Sequence, residues 1–248
     1  GSTTVGNVDT AAGITTSGNV DVTAGSNLTI SNAISAGNNG DITLAAGGIL
    51  DIDAAVASDT LGVISLSANG DIDVGAAVST DNTGTGISIS ADDDASGAGT
   101  LTLSGTGTLL DTTGGNGDIE ISTADFAITS SGTIDAGEGN VSISGSNARS
   151  IGLGNADQDL DISSAELGVI SATDLSLGDA TTTAISIDAL AASGTANITG
   201  TLILDASGDN VPVTFENNAS TFTAGISLDI TAGNGDVNIN ENLTLSGT

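Results

Sequence analysis

Gly18-Asn19-Val20-Asp21-Val22, Gly40-Asp41-Ile42-Thr43-Leu44 and Gly62-Val63-Ile64-Ser65-Leu66 repeat one pattern at one constant interval, the step from Gly18 to Gly40 being equal to that from Gly40 to Gly62. In each block two apolar residues flank one polar residue, which is the spacing of one face of a β-strand. Two further registers keep the same interval. Leu28, Leu50 and Ile72 run with Ile30, Ile52 and Val74 beside them, and Ile34, Val56 and Val78 form the third column. Three short strands within each interval describe a three-sided coil. No single strand buries its own apolar face. Stacked turns about 4.8 Å apart do so, and they also satisfy the backbone N–H and C=O groups of the turns between them.

The pentad returns at Gly70-Asp71-Ile72-Asp73-Val74, Gly117-Asp118-Ile119-Glu120-Ile121, Gly139-Asn140-Val141-Ser142-Ile143 and Gly235-Asp236-Val237-Asn238-Ile239. Its phase drifts after residue 80. Gly86-Ile87-Ser88-Ile89 arrives one residue late, and Ala91-Asp92-Asp93-Asp94-Ala95-Ser96-Gly97-Ala98-Gly99 reads as a loop thrown out from a corner. Beyond residue 150 the strands continue irregularly through Leu160-Asp161-Ile162, Leu175-Ser176-Leu177, Ile185-Ser186-Ile187 and Leu202-Ile203-Leu204. Gly, Asn and Asp between strands are expected to supply positive-φ corners. The expected fold is all-β: a right-handed parallel β-helix, that is, a three-sided β-solenoid with turns of about 22 residues. Residues 1–248 read as a single domain of about 11 turns.

Composition supports this and narrows the function. Of 248 residues, 25 are Ile, 20 Leu, 13 Val and only 3 Phe, while Trp, Tyr, Met, Cys and His are absent. Small aliphatic residues fill a narrow interior, whereas a two-layer globule draws on aromatics. The low count of large apolar residues and the high charge border on the composition of disordered chains. A mean hydropathy of +0.24 and the ordered apolar spacing argue for folding. A helical reading conflicts with the Gly-rich, alternating segments, and a string of sandwiches would not keep three columns at one constant interval.

Arg149 is the only cation against 31 acidic residues, a formal net charge of −30. Nucleic acid and anionic membranes are thereby excluded as partners, because both need Lys and Arg to replace counterions. No apolar run is long enough to span a membrane. The absence of Cys excludes a disulfide framework. The chain starts Gly-Ser-Thr-Thr, so any export signal is expected to be removed or to lie outside it.

These strings, in particular Gly-Asn-Val-Asp-Val-Thr-Ala-Gly, Ala-Ala-Gly-Gly-Ile-Leu-Asp-Ile and Gly-Asp-Val-Asn-Ile-Asn, resemble the filamentous haemagglutinin-type repeats of large secreted bacterial adhesins. The resemblance covers nearly the whole chain as a pattern. It implies a right-handed β-helix, an extracellular or cell-surface location, and adhesive or structural work. The Asn-Pro-Asn segment of that family's secretion domain has no counterpart here.

Catalysis is not expected. β-Helical lyases need cations or bases that this chain lacks, and a glycosidase, needing only two carboxylates, would still have no Trp or Tyr sugar platform. The one cofactor candidate is calcium. Asp51 and Asp73 share an outward register one turn apart, where an ion would relieve their repulsion. Asp92, Asp93 and Asp94 form a second candidate cluster. The nonapeptide calcium repeat is absent, and a solvated acidic face is the plainer reading of both groups. An ice-binding face would need Thr in register, which Asp21, Thr43 and Ser65 do not keep. Asn27, Asn197, Asn218 and Asn242 head glycosylation sequons.

The expected function is an extracellular structural or adhesive rod, with a calcium-dependent adhesion module as the alternative. The expected partner is the chain itself, stacked end to end into filaments, or neighbouring turns of a longer protein. Neither terminus shows a capping helix, and head to tail the run from Gly235 to Gly6 of the next copy would be close to one turn. Arg149 also sets a simple test. Denatured protein should give two fragments with trypsin while the folded rod stays intact on a gel, and many fragments from the native protein would contradict a compact stack.

Overall fold

The computed structural model describes residues 3–5, 7–8 and 11–245, with side chains described from residue 13. Gly6 and Thr248, which bound the head-to-tail spacing, lie outside the described residues. The chain is a parallel β-solenoid of about 10 turns, with ~24 residues per turn. At about 4.8 Å per turn the stack is about 48 Å long. The mean turn is longer than the sequence interval suggests, and the difference arises from three insertions described below.

The first face is an uninterrupted nine-stranded sheet from Val20–Ala24 to Ser227–Thr231. Val20 sits under Ile42, Ile42 under Ile64 and Ile64 under Ile87, and the column continues through Ile119, Val141, Leu175, Leu202 and Leu228. The second face begins as a six-stranded sheet containing Leu28, Leu50, Ile72, Leu101 and Phe126, and the third is a seven-stranded sheet ending at Ile170–Ser171. All three sequence columns therefore lie in register as expected. Their side chains merge into one core, in which Ile30, Ile42, Leu44, Ile52 and Ile64 are fully buried. Burying each such side chain contributes roughly 1.5–3 kcal/mol before entropy is subtracted.

The glycines of the repeat serve a different purpose from the expected one. Gly18, Gly40, Gly62, Gly117 and Gly139 do not have positive φ, which occurs instead at residues such as Asn38, Asn39, Asp92 and Asn116. Gly40, Gly62, Gly117 and Gly139 are glycines because successive turns nearly touch there. A Cβ on Gly40 would lie 2.5 Å from the Gly18 carbonyl oxygen, and one on Gly139 would lie 2.5 Å from that of Gly117.

The Asn/Asp that follows each repeat glycine has its own task. Asn19 Oδ1 accepts the Asp41 amide (3.0 Å) and Asp41 Oδ1 accepts that of Val63 (3.0 Å). The pattern resumes with Asp118 accepting from Asn140 (2.8 Å), Asn140 from Asp174 (3.2 Å) and Asp174 from Thr201 (2.7 Å). Each side chain thus caps a backbone donor one turn higher, at a corner where the sheet ladder is interrupted.

Three insertions lengthen the upper turns. The loop from Asp92 to Gly99 and the longer corner before Asp118 put Ile119 above Ile87, where the regular interval would have placed Leu109. The third is a reversal. Strand Ser150–Gly154 pairs upward with Ala184–Asp188 and downward with Leu160–Ile162, so the chain climbs past one level and returns to fill it. Leu160–Ile162 then lies against Asp125–Ile128, although the two belong to separate sheets. A short helix, Ser164–Leu167, follows, with a Ser163/Glu166 capping box, and above it sit the 3-10 turn Ala192–Thr195 and the strand Ser220–Phe222.

Ile42 is fully buried between Val20 and Ile64, and Thr43 points outward beside it. Ile42→Asp should therefore destabilise the rod by several kcal/mol, whereas Thr43→Asp should change the melting temperature little. Equal melting of the two variants would reverse the assignment of inner and outer faces.

Candidate interaction surfaces

The structure brings Asp51 and Asp73 together as the register requires, with Asp73 directly above Asp51 on the outer side of the second face. Thr29 and Thr102 continue the column below and above. Burial, and then the charges of Asp53 and Asp73, raise the Asp51 pKa above the ordinary carboxylate value. Asp73 accepts a short hydrogen bond from the Ser104 hydroxyl. Two unit charges at strand spacing repel by roughly 1 kcal/mol in a water-like dielectric. A ladder of buried aliphatics absorbs that easily.

Asp92, Asp93 and Asp94 do not converge. Asp92 is buried, while Asp93 and Asp94 are exposed. Asp92 Oδ1 accepts from the Ser96 hydroxyl (2.8 Å) and the Ala98 amide (3.3 Å), and Oδ2 accepts from the Ser146 hydroxyl (2.6 Å). The Gly97 amide lies 3.0 Å from both oxygens. Burial opposes ionisation, but these donors outweigh it and hold the carboxyl at about 2. Asp92 is thus the anchor of its loop. Arg149 closes the same loop by donating from Nη2 to the Gly97 carbonyl (2.7 Å). Among the described residues no three acidic side chains are grouped so as to hold a metal ion.

The first face presents two outward columns. One runs Asp21, Thr43, Ser65, Ser88, Glu120, Ser142, Ser176, and the other runs Thr23, Ala45, Ser67, Ser90, Ser122, Ser144. Glu120 breaks the hydroxyl array and accepts from the Thr85 hydroxyl (2.9 Å). Shallow grooves of about 220 and 340 Å³ lie on either side of it. Only the start of the first column, Asp21, Thr43 and Ser65, is legible in the sequence, because serine spaced by two otherwise reads only as the polar half of a strand.

Three of the four sequon asparagines are occupied by the fold. Asn27 Oδ1 accepts the Ile49 amide (3.0 Å), Asn197 Nδ2 donates to the Gly168 carbonyl (2.7 Å), and Asn218 Nδ2 donates to both Asp188 carboxylate oxygens (3.0 Å each). Asn242 is exposed.

The last described turn leaves core positions exposed. Val237 and Ile239 continue the inner column above Val213 and Phe215, and Leu245 stands above Phe222, yet they are 46%, 57% and 55% exposed. Val20, in the lowest strand of the first face, is only 7% exposed. These are core positions with no turn above them in the described chain.

The arrangement defines a parallel β-solenoid with an acidic exterior whose last described turn leaves core positions exposed. No protein-family model matches the chain, and no curated protein or solved structure gives a significant match.

Because the Asp51 pKa is raised in the fold, its ionised form works against folding, and stability is regained as pH falls through that pKa. Asp51→Asn should therefore raise the melting temperature at neutral pH, with the gain shrinking below about pH 4, where Asp is itself protonated. Asp92 has the opposite sign. Its contribution is present above the unfolded pKa and is lost as pH falls toward 2, so Asp92→Asn should destabilise at neutral pH. Thermal melts of both variants across pH check the two signs, and an Asp51→Asn gain that persists in full under strongly acidic conditions would contradict the charge argument.

Proposed function

We propose that this chain is an extracellular structural or adhesive β-helical rod, without catalytic activity, that extends by end-to-end stacking. The exposed core positions of the last described turn carry this reading. Open strand edges above an exposed apolar column recruit further strands unless they are covered, and Val237, Ile239 and Leu245 stand at such edges. The resemblance to filamentous haemagglutinin-type repeats supports an extracellular, adhesive setting. The charge of −30 opposes side-by-side association and favours contact through the ends, where backbone ladders continue. A head-to-tail contact of this kind is heterologous and generates an open filament.

Calcium-dependent adhesion is the second reading, favoured by the stacked Asp51 and Asp73. A cation shared between these carboxylates would remove their repulsion and brace two turns.

Light scattering and negative-stain microscopy at low and high salt test the first reading. Salt screens the charge, so assemblies should grow with ionic strength, and Val237→Asp with Ile239→Asp should abolish them. A monodisperse monomer under every condition would defeat the filament. For the second reading, calcium should raise the melting temperature of the wild type and not of Asp51→Asn/Asp73→Asn. Equal responses would remove it.

A further inference from the structure

The three faces are not equally continuous. The first face carries one hydrogen-bonded sheet through all nine of its strands, and the third face carries one through seven. The second face is split. Its lower sheet ends at Asp125–Ile128, and its upper sheet starts at Leu160–Ile162. These two strands are in contact, but no β-ladder joins them.

What spans the seam is a side chain. Glu166 Oε1 accepts the Ile128 amide at 3.2 Å, while its Oε2 accepts the Ser163 amide at 2.9 Å. An open surface groove of about 190 Å³, lined by Ile128, Ser130, Ala165, Glu166 and Val169, lies at the same level. Like charges also face each other. Asp161, on the upper strand, is raised in pKa by burial and feels Asp157, Asp125 and Asp159, of which Asp125 belongs to the lower strand.

We propose that this seam is a built-in hinge, at which the rod bends by opening its second face while the first face stays zipped. At that level the first face keeps the ladder from Ile119–Ile121 through Val141–Ile143 to Leu175–Leu177. The third face keeps the Ile134–Ile170 pairing at that level too, so bending about the edge that the first and third faces share breaks no ladder. Bending at any level from Leu28–Ile30 to Asp125–Ile128 would break a bonded strand pair on the second face. The hinge is a property of the single rod and does not depend on filament formation.

Residue-resolved amide exchange on the whole chain tests it. Amides of Phe126–Ile128 and Leu160–Ile162 should exchange at least tenfold faster than those of Ile119–Ile121 and Val141–Ile143 at the same level. Glu166→Ala should speed exchange at the seam further and leave the first face unchanged. Glu166→Gln keeps one acceptor oxygen in place of two, serving either the Ile128 amide or the Ser163 amide, and should restore protection at the seam only in part. Equal protection on the two faces would overturn the hinge. So would a Glu166→Ala variant that loses protection uniformly, because Glu166 would then be supporting the fold as a whole.

Discussion

Everything in this molecule follows from requiring each strand to sit one hydrogen-bond spacing above its equivalent in the preceding turn. At about 4.8 Å there is no room for a side chain between backbones. The repeat glycines are glycines for that reason, and the Gly18–Gly40–Gly62 contact is the plainest case. The same spacing lines up identical positions along the axis. Apolar positions then form continuous columns, and any backbone donor at a corner falls within reach of a side chain directly beneath it. The Asn/Asp acceptors and the aliphatic core are two results of a single geometric condition.

Stacking is indifferent to what it aligns outside the core. Acidic residues are brought into columns as readily as serines are, and Asp51, whose pKa is raised first by burial and then by the charges of Asp53 and Asp73, stands in one of them. The penalty of one such contact is small beside the burial of a pair of isoleucines. A chain with a single cation can therefore fold in spite of its charge, provided that the inner columns remain intact. Where the inner columns lose their neighbours, in the last described turn, Val237, Ile239 and Leu245 stand exposed.

The columns through Val20, Ile42 and Ile64, and through Leu28, Leu50 and Ile72, are legible in the sequence because the alternation of a strand and the recurrence of a whole turn coincide. The late arrival of Ile87 and the loop after Ala91 are legible as a break in that phase. The reversal at Leu160–Ile162 is not, since an apolar-polar-apolar triplet looks the same whether the chain is climbing or returning. Asp92 reads as one of three surface acids because its burial depends on Ser146, a partner 54 residues away. The role of Asn140 is hidden for a similar reason. Its partner is a main-chain amide, which residue identity does not reveal, and the glycine before it invites a turn explanation that the backbone angles refute.

The corner acceptors also give the rod a direction. Asn19, Asp41, Asp118, Asn140 and Asp174 each take their proton donor from the turn that follows in sequence. A fault at one of them is therefore felt at a distance. Stripping the side chain from Asn140 leaves residue 140 itself well bonded and orphans the amide of Asp174, 34 residues later. In such a molecule the address of a lesion and the address of its damage differ by one storey, always on the C-terminal side.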